Sequence, residues 1–378
     1  MKNLSAAFLA FAILMTAPAQ AERPGLVIIN DDAGVPAPVA APAPPVMTDD
    51  SPQLSGEVKV ELQSEWGVDA DDPDEERSNT FLNTEVSAEL EVAEHLTIEG
   101  TALLEPVRDF DAGEDTFFEE EAVYIEEILL KYENGPLELV VGKFSPFYKN
   151  SRDQERGIWT EDFSKEYEIT QKLGLGAAYK LEGADMLGTP TLSANGFFHD
   201  TSFLSETLGT NMQDSCSGDN DLSSAFLMEG HKPAGVETLY YQVGYRQIDA
   251  CNTGDPDESG FLATIGNVFV FPLTEQVETD LLTEFSYVQD FEGTGNDHQY
   301  YSVSSVTTID DKWNLSLGCT ARLVAVSGGG DAQDHLCQIS GGYDFGNGFK
   351  ADAGWLNTHE SAMTTNIIGT LVRYEFDY

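Results

Sequence analysis

The chain has 378 residues, and its 66 acidic against 19 basic side chains give a formal net charge of −47 at pH 7. Self-repulsion of that size disfavours a compact body unless the acids stay in water, and it excludes nucleic acid as a partner. The six histidines, from His95 to His359, are scattered without zinc-ligand spacing, so neither a metal centre nor a cofactor is expected.

Residues 1–21 read as a secretory signal peptide. Lys2 opens it, an apolar run extends from Leu4 to Met15, and Ala19-Gln20-Ala21 is a small-residue cleavage site. No other stretch is long and apolar enough for a transmembrane helix. Residues 22–55 are rich in Pro and Ala, with Pro36 to Pro45 favouring extended polyproline geometry, and are expected to form a periplasmic linker with no fold of its own.

Beyond residue 56, apolar and polar side chains alternate with a period of two, in segments of about ten residues, the length a tilted membrane strand needs. The pattern predicts strands over 57–66, 81–92, 96–105, 122–132, 137–144, 169–181, 191–199, 222–230, 238–247, 260–271, 277–288, 298–309, 314–325, 335–345, 349–356 and 366–378. In the first, Val58, Val60, Leu62 and Trp66 share one face and Lys59, Glu61, Gln63 and Glu65 the other. Asn134-Gly135 is a tight-turn signal between two of the segments. Short turns alternate with long acidic connections, and two of these, 69–76 and 109–121, read as solvated loops with no EF-hand spacing. The last segment puts Ile368, Thr370, Val372, Tyr374, Phe376 and Tyr378 on one face and stops on its terminal aromatic. Such a strand suits a closed barrel whose final strand pairs with its first.

A C-terminal aromatic strand of this kind resembles the end of a Gram-negative outer-membrane porin. The stretch 141–204, with Gly142-Lys143-Phe144, Gly157-Ile158-Trp159, Tyr167-Glu168-Ile169-Thr170 and His199-Asp200-Thr201-Ser202-Phe203-Leu204, resembles porin-like proteins of alphaproteobacteria. The resemblance implies an all-β transmembrane antiparallel barrel of about 16 strands over 56–378. It implies a cell outer membrane location, contact with lipid and lipopolysaccharide, passage of small hydrophilic solutes, and a homotrimer. It also implies that the connection 145–168 folds into the lumen and narrows it. That connection holds Phe147, Tyr148, Ile158, Trp159 and Phe163, too many apolar groups for a loop left in water. Its constriction charges would be Arg152, Asp153, Glu155, Arg156, Glu161 and Asp162, and Gly142, Gly174 and Gly176 on the flanking strands would leave room for its backbone.

Lys131, Lys172, Arg246, Arg322 and Arg373 alternate with outward apolar groups. Facing lipid, each would cost about 2 to 4 kcal/mol near the membrane midplane, so they are expected on the lumen wall. Glu85, Glu89 and Glu91 join them there. Between Lys143 and Lys172, six bases balance six acids, so moderate cation selectivity is expected from the acidic wall instead of the constriction. In an exported chain the four cysteines are expected to form two disulfides, Cys319 with Cys337 across the Gly328-Gly329-Gly330 turn and Cys216 with Cys251 between outer connections, with free thiols at the strand pair as the alternative. No spacing singles out a catalytic pair of carboxylates and no nucleophile motif accompanies His199, so no enzymatic activity is expected. Two other readings stay open. One is a plugged barrel acting as a structural or surface-interaction protein. The other is a secreted soluble β-protein, because alternation alone does not say whether the apolar face meets lipid or another sheet.

Overall fold

A computed structural model of the protein describes residues 52–110, 113–148, 157–159, 162–182, 186–210, 220–250, 252, 254–271 and 277–378. Alternating apolar and polar side chains give each segment two unlike faces, the condition for a half-buried strand. The strands are β1 (Gln53–Ala70), β2 (Ser78–Ala93), β3 (Leu96–Pro106), β4 (Thr116–Phe117), β5 (Glu121–Asn134), β6 (Leu137–Phe144), β7 (Lys172–Lys180), β8 (Thr189–His199), β9 (Leu208–Gly209), β10 (Ser223–His231), β11 (Leu239–Ile248), β12 (Glu258–Val270), β13 (Val277–Gln289), β14 (Asp297–Ile309), β15 (Trp313–Ala325), β16 (Asp331–Gly346), β17 (Phe349–Glu360) and β18 (Met363–Asp377). A one-turn helix, α1 (Asp162–Lys165), lies between β6 and β7. Among the described residues no helix is long and apolar enough to cross a membrane.

Sixteen strands pair antiparallel in chain order in one continuous sheet, to which the two-residue β4 adds parallel to β2 and β9 antiparallel to β5. The sheet closes where β1 meets β18, pairing Val58 with Phe376, Leu62 with Val372 and Trp66 with Ile368. The result is a closed 16-strand antiparallel barrel, which has no long edge to protect. Outside, Leu62, Trp66, Leu175, Phe226, Ile265, Val303 and Trp355 stand exposed. On the opposite face Gln63, Gln242, Arg246, Glu284, Ser302 and Ser340 are buried, as side chains inside a closed barrel are. Phe197, Leu262, Val288, Tyr300, Leu336, Leu356 and Leu371 share that inner face and form one buried cluster with Ile158, Trp159, Phe163, Tyr167 and Ile169.

Four details depart from the sequence reading. β1 starts at Gln53, inside the stretch assigned to the linker, because Gln53 to Gly56 pair with Ala88 to Glu91 of β2. The strand expected from residue 169 begins at Lys172, since Ile169 is drawn into the buried cluster. The connection expected to be solvated over 109–121 is tied to the barrel. Its β4 runs parallel to Asn79 and Thr80 where β3 has ended, and Asp115 and Glu121 accept from the backbone N–H of Ser78 at 2.8 Å and Leu82 at 3.0 Å. Likewise β9 continues the wall above β6 by pairing with Ala122 and Val123 of β5.

Candidate pore site

The connection between β6 and β7 begins where Ser145-Pro146 breaks the ladder, proline having no N–H to give. Its first backbone donors are taken up by side chains. Ser145 N donates to Glu127 Oε1 at 2.7 Å, and Phe147 N donates to Asn195 Oδ1 at 3.1 Å. Tyr148 is buried with its ring centroid 5.8 Å from the Arg246 guanidinium. Burial pushes its hydroxyl up to about 12, against the pull of Arg246, so it stays neutral and serves as packing. Of the three glycines expected to make room for the backbone of the connection, Gly176 faces only one of its side chains, a Cβ there falling 3.1 Å from the Phe147 ring and closer still to Asn195 and Val140. Gly142 and Gly174 instead crowd the backbone of their own neighbouring strands.

Further along, Trp159 N donates to Gln338 Oε1 at 3.3 Å and its indole Nε1 donates to Glu65 Oε1 at 2.6 Å. Phe163 lies 4.6 Å beneath the Arg322 guanidinium. Glu166 pairs with Arg322 and accepts from the Tyr300 hydroxyl at 2.6 Å. The Tyr167 hydroxyl donates to Glu284 Oε1 at 2.5 Å, while the Tyr167 carbonyl accepts from Arg246. None of these partners was legible beforehand, because each lies far away in sequence. The one trace was the run of small residues, Ser316, Ser340, Gly354 and Gly369, at inner positions of β15 to β18.

Of the expected constriction charges, Arg152, Asp153, Glu155, Arg156 and Glu161 lie outside the described residues, and Asp162 opens α1. The five basic wall candidates are spread around the barrel, each beside a partner. Arg246 meets Glu258 at 2.7 Å, and Arg322 meets Glu166, Asp334 and Glu360. Lys131 meets Glu99 at 3.2 Å, Arg373 meets Glu61, and Lys172 Nζ is 3.2 Å from His199 Nδ1. Glu85, Glu89 and Glu91 differ: among the described residues they take part in no ion pair, and Glu89 stands directly opposite Glu99.

Lys143 requires a correction. Counted with the constriction charges, it instead shares the outer face with Ile128 and Leu173 and is wholly buried 3.4 Å from Asp200, with its ammonium donating to the Leu204 carbonyl. The balance of six against six therefore does not describe the lumen. Cys319 and Cys337 pair directly across β15 and β16 and form a disulfide on the outer face. Cys216 and Cys251 lie outside the described residues.

No family model and no curated protein sequence matches the chain. Solved structures do match in shape. OmpF of Salmonella typhi, in complex with daunomycin, superposes with a TM-score of 0.58 at 10% identity, over 86% of this chain and 98% of that one. The outer membrane channel DcaP of Acinetobacter baumannii gives 0.54 at 12% identity, over 86% and 97%. The trimer form of OmpT, an outer membrane protein of Vibrio cholerae, gives 0.51 at 12% identity, over 86% and 99%. At such identities it is the fold that is shared: this chain has the 16-strand barrel architecture of outer-membrane porins and channels.

Proposed function

We propose that the protein is an outer-membrane porin, a passive diffusion channel for small hydrophilic solutes and ions. The observation that carries this reading is the inversion of the barrel: large apolar side chains stand exposed outside while charged and polar side chains line the inside. A soluble protein would expose its polar face, whereas lipid accepts only the apolar one. The connection between β6 and β7 narrows the lumen. Its described residues touch β1, β11, β13, β14, β15 and β16, and only the interior of a closed barrel brings those strands within reach of one segment. Cation preference follows from the wall. Four of the five basic wall candidates, Lys131, Arg246, Arg322 and Arg373, are matched by carboxylates, while Glu85, Glu89 and Glu91 take part in no ion pair among the described residues, although Lys59 stands opposite Glu85 and Lys131 lies beside Glu99, the residue that faces Glu89. The trimer is carried over from the resemblance and agrees with the trimer form of the Vibrio cholerae protein.

Purified protein in a planar bilayer provides the test. Discrete single-channel steps are expected, with a reversal potential in a KCl gradient of the cation-selective sign. Absence of steps favours a plugged barrel, a reading to which the apolar cluster at the inner face lends weight. Replacing Glu85, Glu89 and Glu91 together by glutamine should move the reversal potential towards zero, and an unchanged potential refutes the role of the wall.

A further inference from the structure

We infer that Trp159 sets the aperture of the channel, by fastening the connection between β6 and β7 to a prepared seat on the far wall. The inference rests on the channel reading, and two independent features of the structure carry it.

The first is polar. Trp159 is 4% exposed, and an indole N–H buried that deeply must find an acceptor. It finds Glu65 Oε1 at 2.6 Å, and the same oxygen accepts from Gln63 Nε2 at 2.7 Å, which holds the carboxylate in place. The second is steric. Glu65 pairs with Gly369, Gly369 with Gly354, Gly354 with Ser340 and Ser340 with Ser316, so a single cross-strand row runs through β1, β18, β17, β16 and β15. Along that row the side chains shrink to nothing where the indole lies. A Cβ on Gly369 would fall 2.3 Å from the Trp159 ring, one on Gly354 would fall 2.7 Å from the Ile339 carbonyl oxygen and 3.0 Å from the ring, and one on Gly157 would fall 2.5 Å from Ser340 Oγ. Glycine inside a strand is destabilising relative to alanine, because it loses more backbone freedom on folding. Two glycines directly opposite each other on neighbouring strands are therefore a standing cost, offset here by the ring they admit. β6 and β7 follow β5 in the barrel, away from the β1–β18 seam, so a residue of their connection held in this row is drawn across the lumen.

Four variants, compared in planar bilayers and by exclusion of neutral polymers of graded size, test the inference. Trp159→Phe removes the N–H together with the outer indole ring, whose Cζ2, Cη2 and Cζ3 rest on the glycines, and Gly369→Ala displaces the ring while keeping both the N–H and its acceptor in the chain. Both should raise open-channel noise and shift the polymer cut-off upward. Glu65→Gln retains an acceptor oxygen and should keep the wild-type cut-off. Gly100→Ala, in β3 where a Cβ meets nothing closer than 3.9 Å, is the folding control. If the wild type passes no current, the channel reading fails. If the wild type conducts while Trp159→Phe and Gly369→Ala both behave like Gly100→Ala, the aperture role of Trp159 is overturned.

Discussion

Arg246 is 2% exposed yet serves two elements at once, pairing with Glu258 at the start of β12 and donating to the carbonyl of Tyr167. Removing it would leave a buried carboxylate without compensation, which costs about 3 to 5 kcal/mol in comparable pairs. Arg246→Met should therefore lower the urea midpoint of the detergent-solubilised barrel by a matching amount. Arg246→Lys should recover only part of it, because a single ammonium cannot reach both partners as the guanidinium fork does. The side chain's face was readable from its place in an alternating segment. Its partners were not, since Tyr167 and Glu258 become its neighbours only when the barrel closes around them. The same holds for Trp159 and Glu65, which are 94 residues apart.

Single elements were legible to the extent that they repeat. A period of two over ten residues identifies a strand, whereas β4 and β9, with two residues each, are too short to show any period. The β15–β16 hairpin was also legible, because Cys319 and Cys337 are equidistant from Gly328 and so fall opposite each other. Their disulfide closes a loop with a sequence separation of 18, which by chain entropy stabilises the fold by about 3 kcal/mol. Cys319→Ser with Cys337→Ser should lower the unfolding midpoint accordingly, and reduction of the wild type should reproduce the loss. Lys143 was counted with the constriction charges for its place beside the connection, whereas its side chain lies on the outer face and is clamped to Asp200; nothing local shows that the connection after β8 folds over it. Burial opposes ionisation of Asp200, but hydrogen bonds from Ser202 and Ser205 and the Lys143 charge outweigh it and hold the carboxyl below its ordinary value of 3.8. The clamp is then fully formed above that value and is lost as pH falls through the depressed one. Limited proteolysis of the connection between β8 and β10 should be slow at neutral pH and in mild acid. Asp200→Asn should speed cleavage at neutral pH.

For the whole molecule, the net charge of −47 suggests strong attraction of cations, yet charge on distant outer connections is screened beyond about 8 Å at physiological ionic strength. On the proposed channel reading selectivity belongs to the wall, and raising the KCl concentration on both sides should weaken it without abolishing it. The row that seats Trp159 has a further consequence. Glu65 comes from the first strand and Gly369 from the last, so the seat does not exist until β1 has joined β18. If Trp159 sets the aperture as proposed, narrowing of the lumen comes last in the order of assembly: a barrel caught before its ends meet has a wall but no place for its constriction to rest, and the same seam that closes the barrel also completes its aperture.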